Sequence, residues 1–406
     1  MTETPTRPLA RRKVLAGAAT LLAAPHIARA IETIKIGLLL AKTGQIAAQT
    51  EYLANGTFLA MEERDNTISG QPAELVWLDE PSPQAAIRNM QKLIQQDKVV
   101  AILGGSLSSN ALAEASAAAE LNVPFVCDNA AATDITGKHC NRYTFRLNTP
   151  VIVQSRMIAP YALSYGKRWY FITGSSAFGQ DILQTSRQLL QAAGGTELGC
   201  DEVPQNTSDF APFIQKIRDH KPDVVIGGLS GGDLSTFLRQ WNELGMKGKT
   251  QFVQIAIGDT DIWTVGPNAA TGTFTKLWDY QNPDNSPAEQ AFAAAYQKKY
   301  RKPPADKAWM GWISARSVFE SIDAAQSTHP MAIVEALEAW SAPVGHASCR
   351  YREFDHQMLL QNLAVTVKDK ITDKWNYFDI KATLPQDAAD MNAVFGTEAA
   401  TGCQMG

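Results

Sequence analysis

Short aliphatic runs that alternate with helical spacings, twice over, constrain the fold of this chain more than anything else in it. TIKIGLLLA (33–41) is a continuous apolar run, as expected of a strand buried on both faces. Residues 51–66 have the spacing of an amphipathic helix. ELVWLDE (74–80) then reads as a strand, QAAIRNMQKLIQQ (84–96) as a helix, and VVAILGG (99–105) and VPFVCDN (123–129) as further strands. Strands alternating with helices of about 10–15 residues imply βαβ units and a parallel sheet. The rhythm restarts with a helix at 151–165, the strand RWYFIT (168–173) and a helix at 178–193 that Gly194-Gly195 ends. A strand at 197–203, a helix at 210–220, DVVIGG (223–228), a helix at 233–244 and QFVQIA (251–256) follow. The predicted class is therefore α/β, with two doubly wound, Rossmann-like halves. Beyond 280 the spacing is helical at 287–300, 308–326 and 330–340, and Pro303-Pro304 separates the first two. Two late strand-like pieces, LAVTVKD (363–369) and WNYFDIKA (375–382), read as returns to the sheets.

The chain has 406 residues, enough for two domains. Its first thirty differ from the rest. Arg11-Arg12-Lys13 precedes the apolar VLAGAATLLAA, and Ala28-Arg29-Ala30 has the small-x-small form of a cleavage site. This predicts a signal peptide cut near Ala30, with an apolar part too short to span a bilayer. Paired arginines before the apolar run resemble a twin-arginine signal; a Sec signal with a chance pair is the alternative. No cysteine lies near the cut, so no lipid anchor is expected. Removing Arg7, Arg11, Arg12, Lys13 and Arg29 against Glu3 leaves the remainder more acidic than the whole chain's −4. A mildly acidic periplasmic protein fits. No basic stripe points to nucleic acid. In that oxidising compartment Cys127, Cys140, Cys200, Cys349 and Cys403 allow one or two disulfides. No C-x-x-C spacing suggests zinc or thioredoxin chemistry.

Gly228-Leu229-Ser230-Gly231-Gly232 matches G-x-S-x-G between a strand and a helix, the setting of a hydrolase nucleophile, with His346 and His356 downstream. The alternative is a glycine turn that lets a helix begin beside bound ligand. GMKGKT (245–250) lacks the glycine spacing of a phosphate loop, and no G-x-G-x-x-G follows the first strand. The histidines show no i, i+4 pairing, so neither a metal nor a cofactor is expected. LGGSLSSNALAEASAAAE (103–120) is more informative. Asn110 is suited to cap a helix there, and Glu114 suits its positive end. The free N–H groups of that end, with Ser106, Ser108 and Ser109, could hold a carboxylate. DNAAATDITG (128–137) brings Ala130, Ala131 and Thr133 to the same sheet edge, outside the carboxyl ends of the strands, where ligands bind.

In this order the segments resemble the periplasmic ligand-binding proteins of ABC importers, in the leucine/isoleucine/valine-binding group with the type I fold. The stretches that carry the resemblance are IKIGLLLAKTGQIAAQTEYLANGTFLAMEE, VVAILGGSLSSNALAEASAAAELNVPFV, DITGKHCNRYTFRLNTP, FITGSSAFGQD and DFAPFIQKIRDHKPDVVIGGLSGGDLSTFLRQWNELG. It covers nearly the whole mature chain. It implies two lobes joined by a three-crossover hinge: 31–149 and 276–345 in lobe one, 150–275 and 346–380 in lobe two, and a tail at 381–406. It also implies a monomeric, non-enzymatic receptor that closes on a small molecule and engages an inner-membrane ABC permease. A sensory regulator using the same clamp and a serine hydrolase using Ser230 are the rival readings.

Carried over by position, the family's carboxylate-holding serine is Ser108, and its threonine position holds Ala132, or Thr133 after a shift of one. The aromatic before glycine is Phe178, the aromatic after the first strand is Gln49, and the lobe-two tyrosine region is Ser230-Gly231. The acid that receives an ammonium belongs near 256–261, where Ala256 stands in its place with Asp259 and Asp261 close by; Asp259 is the candidate. These departures point away from a plain α-amino acid and leave an amide, a urea-like compound or an aromatic or short organic acid open. Trp263, Trp278, Trp309 and Trp312 read either as a cleft wall or as core. The Cys-bearing tail resembles that of members with a cysteine at the position of Cys140, which implies a Cys140–Cys403 disulfide, with Cys127 and Cys349 as a rival pair.

Overall fold

The computed structural model describes residues 1–4 and 32–405. The expected leader and its cut near Ala30 fall almost wholly on 5–31, outside the described residues. The first sheet contains β1 (Ile34–Leu39), β2 (Thr67–Ile68), β3 (Gln71–Leu78), β4 (Ala101–Gly104), β5 (Phe125–Cys127) and β6 (Thr144–Arg146), in the order β2-β3-β1-β4-β5-β6. Helices α1 (Ala47–Glu62), α2 (Pro83–Gln95) and α3 (Ser108–Leu121) connect its strands. Strands β3, β1, β4, β5 and β6 are parallel, and the register sets Leu39 beside Gly104 and Gly104 beside Cys127. The segments that leave these strands therefore emerge side by side at one edge. Local signals explain the helix ends. Ser82 caps α2 ahead of Pro83, and Asn122 closes α3 in the left-handed conformation.

The second sheet follows α4 (Val151–Tyr165). It contains β7 (Arg168–Gly174), β8 (Thr196–Val203), β9 (Val224–Gly228), β10 (Gln251–Gln254) and β11 (Thr273–Lys276), with α5 (Ala177–Ala192), α6 (Ala211–His220), α7 (Gly231–Glu243) and α8 (Asp259–Val265) between them. Thr173 stands beside Gly228 and Gly227 beside Gln254, which gives this lobe its own carboxyl edge. The chain then returns to lobe one through α9 (Pro287–Tyr300), α10 (Asp306–Ala325) and α11 (Pro330–Ala339). Helices α1 and α10 pack backbone to backbone. A Cβ at Gly56 would lie 1.9 Å from the Ala308 oxygen, and one at Gly311 2.0 Å from the Leu53 oxygen. This contact fixes the first turns of α10 against the middle of α1. Trp278, Trp309 and Trp312 belong to the buried core of this lobe, while Trp263 packs at its edge against Tyr52 and Trp375.

A small antiparallel sheet comes next, of β12 (Ser341–Val344), β13 (Ala347–Tyr351) and β14 (Met358–Leu359). Its Cys349, Tyr351 and Met358 join the lobe-one core, and Gln357 bridges to Arg146 on β6. The third crossover therefore lies between Leu359 and Asn362, not at the expected 345/346 boundary. Strands this short carry no periodicity that would have placed them. Lobe two is completed by β15 (Asn362–Val367) and β16 (Phe378–Leu384), antiparallel additions to an otherwise parallel sheet. The tail accordingly starts after Leu384 rather than at 381. Its α12 (Met391–Phe395) sets Met391 and Phe395 against Val153 and Met157 of α4. Cys403 is disulfide-bonded to Cys140 of lobe one, whereas Cys127 and Cys349 are free and buried. The tail thus touches both lobes.

Candidate functional site

The two carboxyl edges face each other across a cavity of about 60 Å³. From lobe one it is lined by Gln49, Ser106, Ser108, Ser109, Asn129, Ala130, Ala131, Asn148 and Lys307. From lobe two it is lined by Ser176, Phe178, Gln205, Leu229, Ser230, Gln254, Ala256 and Asp261. Eight of the residues expected from the sequence are therefore brought together here. Asn129, Asn148, Ser176, Gln205, Gln254 and Lys307 were missed. A larger recess of about 210 Å³ lies elsewhere, beside the β12–β13 turn and β15, away from both carboxyl edges.

The lobe-one side is a wired shelf. The Ser106 N–H donates to Glu80 Oε1 (2.7 Å), and Asn129 Nδ2 donates to the Ser106 carbonyl (2.7 Å). Ser106 Oγ accepts from the Ala41 N–H (2.9 Å), and Ser108 Oγ accepts from the Ala132 N–H (3.2 Å). The Ser108 hydroxyl thus uses its oxygen and keeps its proton to donate, while the Ser106 hydroxyl also faces the Glu80 carboxylate. The expected cap is corrected. Helix α3 starts at Ser108, after Leu107, with no side-chain cap bond. Asn110 lies inside it and donates to the Glu80 carbonyl (2.7 Å). Glu114 is fully buried beneath the shelf with Glu80 and Asp128. Burial raises all three carboxyls above their ordinary range, and the Glu80 charge raises Glu114 further. Glu114 lies beside Glu80, which holds the shelf.

The lobe-two side has fewer ties. Ser230 precedes α7 with no side-chain cap bond, and Ser176 accepts one long cap bond from Gly179 (3.3 Å). Gln254 holds Leu229 through both its amide groups, at 2.9 and 3.2 Å. Helices α3, α5, α7 and α10 are among those that begin at the cavity, and the positive ends of their dipoles make it electropositive. The charged side chains in its lining are Asp261 and Lys307. Burial pushes Asp261 up to about 6, against the pull of its Gln49 bond and of Lys307.

The lobes touch beside the cavity. Gln49 Nε2 donates to Asp261 Oδ1 (2.7 Å). The starts of α8 and α10 interlock: the Asp259 N–H donates to Asp306 (3.0 Å) and the Asp306 N–H to Asp259 (2.8 Å). Three expected site residues stand outside the lining. Asp259 is consumed by this joint and by a buried ion pair with Lys276, which also holds Asp279 at 2.8 Å. The cavity-facing acid is Asp261 instead. Thr133 joins the lobes behind the shelf: its N–H donates to Asp181 (2.6 Å), and its Oγ1 accepts from the Ile152 N–H (3.2 Å). Gly231 has φ +55°, and a Cβ there would lie 2.5 Å from the Gln45 carbonyl of the opposite lobe. Among the described residues no histidine lines the cavity with Ser230, whose backbone is extended (φ −140°, ψ 154°). His346 contacts Asp284 (3.0 Å), and His356 stacks on Phe145. The structure does not bring these two histidines to Ser230.

Two doubly wound lobes, joined by three crossovers and closed around a polar cavity, define the class of two-lobed binding clamps. The model of the periplasmic binding protein family matches residues 33–370, and the chain belongs to that family. It is 26% identical over 370 residues to a Leu/Ile/Val-binding protein homolog of Brucella melitensis, covering 84% of this chain and 89% of the relative. An amino acid ABC transporter substrate-binding protein from Pseudomonas fluorescens superposes with TM-score 0.83 at 24% identity, over 92% of this chain and 99% of the other. A solute-binding protein of an ABC transporter from Rhodopseudomonas palustris, solved with 3,4-dihydroxybenzoic acid, superposes with TM-score 0.79 at 24% identity, over 87% and 97%.

Proposed function

We propose that this protein is the periplasmic solute receptor of an ABC importer. It captures a small polar organic ligand (an amino acid, an amide, or an aromatic or organic acid) between its lobes. The observation that supports this most strongly is the inter-lobe cavity, where the Ser106 and Ser108 hydroxyls stand at the start of α3. Ligand docks on the lobe-one shelf, lobe two closes, and water is excluded, so a few hydrogen bonds become decisive. The closed form then engages an inner-membrane permease as a monomer. The names of the relatives, which span branched-chain amino acids and aromatic acids, are consistent with a wide choice of ligand class.

A thermal-shift screen of small metabolites tests the reading. A ligand at about 100 times its Kd adds about 2.7 kcal/mol to stability. Ser108→Ala is expected to abolish most of that shift for a carboxylate ligand while costing the free protein only about 1 kcal/mol. An unchanged shift refutes the shelf assignment. Solution scattering that shows no compaction with any ligand refutes closure.

A further inference from the structure

The two charged side chains of the cavity are not equally satisfied. Asp261 accepts from Gln49 Nε2 at 2.7 Å on one oxygen and from the Gly258 N–H at 3.1 Å on the other. Lys307 is only 4% exposed, and its nearest polar neighbours are the Met310 sulfur and Asp306 Oδ2, both at 3.6 Å. A charge-assisted N–H···O bond is about 2.7–2.9 Å long. A thioether is a weak acceptor. The other oxygen of Asp306 accepts from the Asp259 N–H. The ammonium therefore brings three donors into a buried site with no oxygen at bonding distance. Burying a cation so poorly paired is costly unless something else meets it. The four helix starts add to the same unmet demand.

We propose that Lys307 is a specificity-determining residue and that the ligand is a small carboxylic acid without an ammonium group, its carboxylate shared by Lys307 and the serine shelf. This rests on the receptor reading above. An α-amino acid would set its ammonium among four helix starts and Lys307, facing an Asp261 already held by Gln49. A neutral amide offers a carbonyl but no charge. L-lactate, a short carboxylic acid without an ammonium group, and its neutral isostere lactamide are the simplest probes of this class.

The test measures binding of L-lactate, lactamide, L-leucine and benzoate to the full mature chain by calorimetry, for wild type, Lys307→Met and Lys307→Arg. The expected result is that wild type prefers lactate to lactamide by about tenfold or more. That preference collapses toward parity in Lys307→Met and is partly restored in Lys307→Arg. The lactate–lactamide comparison in wild type stands even if a variant fails to fold. Leucine or lactamide binding as tightly as lactate overturns this inference and leaves the receptor reading intact, whereas benzoate binding that is lost in Lys307→Met supports it. If none of the four binds and a wider metabolite panel also gives no thermal shift, the receptor reading falls with it.

Discussion

The two walls of the cavity are built differently. Behind the lobe-one shelf every element is tied: Glu80 holds the Ser106 N–H and Asn110 supports Glu80, while Ala41 and Asn129 grip Ser106 from two sides. On the lobe-two wall, Ser230 makes no cap bond and Ser176 makes one long one. The first wall is preorganised before any ligand arrives, so ordering it costs nothing at the moment of binding. The second wall carries the groups that meet lobe one only when the lobes are together, Asp261 with Gln49 and Asp259 with Asp306. Orientation of the ligand therefore belongs to lobe one, and the commitment to closure belongs to lobe two.

That contrast breaks first at Glu80. Glu80→Ala strands the buried Ser106 N–H and removes the longer of the two Asn110 bonds (3.3 Å to Oε2), and a loss of about 2–4 kcal/mol in urea unfolding, with loss of ligand response, is expected. A loss below about 0.5 kcal/mol would mean that the shelf does not depend on its buried carboxylate. Asp261→Asn tests the other wall through pH. The folded-state value of about 6 lies above the ordinary carboxylate value. The folded protein therefore bears a cost for ionised Asp261 that is full above pH 6 and fades as pH falls toward 4. Both Asp261 oxygens accept from N–H donors, so Asp261→Asn carries a pH-independent loss, offset at pH 8 by a gain of at most about 3 kcal/mol that vanishes near pH 4. A net effect that does not change with pH would show that Asp261 ionises without penalty. The smallest effect belongs to Ser230→Ala, which removes no side-chain cap bond and is expected to change stability by less than about 0.5 kcal/mol. A larger loss in thermal unfolding would reveal an anchoring that the contrast denies.

The fold was legible because strands buried on both faces leave unbroken apolar runs, and those runs end where the site begins. Ser106 and Ser108 could be placed from that alone. What stayed hidden depends on contacts far apart in sequence. Asn110 and Glu114 have the composition of a helix start, but Glu80, thirty positions upstream of Asn110, takes them into the interior. Asp259 and Asp261 stand two residues apart, and only the start of α8 decides which one faces the cavity. Lys307 lies at the head of the apolar ADKAWMGW run, where a lysine reads as a helix-end residue until α1 presses α10 into the cleft.

Gly231 gives the closed clamp a mechanical tolerance. Its backbone runs so near the Gln45 carbonyl that one methyl group would act as a shim between the jaws, and the positive φ discourages any side chain there in addition. The jaws of this protein meet to within the thickness of a single carbon at the rim. Alanine at that position would leave the shelf intact while holding the door ajar, separating docking from closure by one carbon atom.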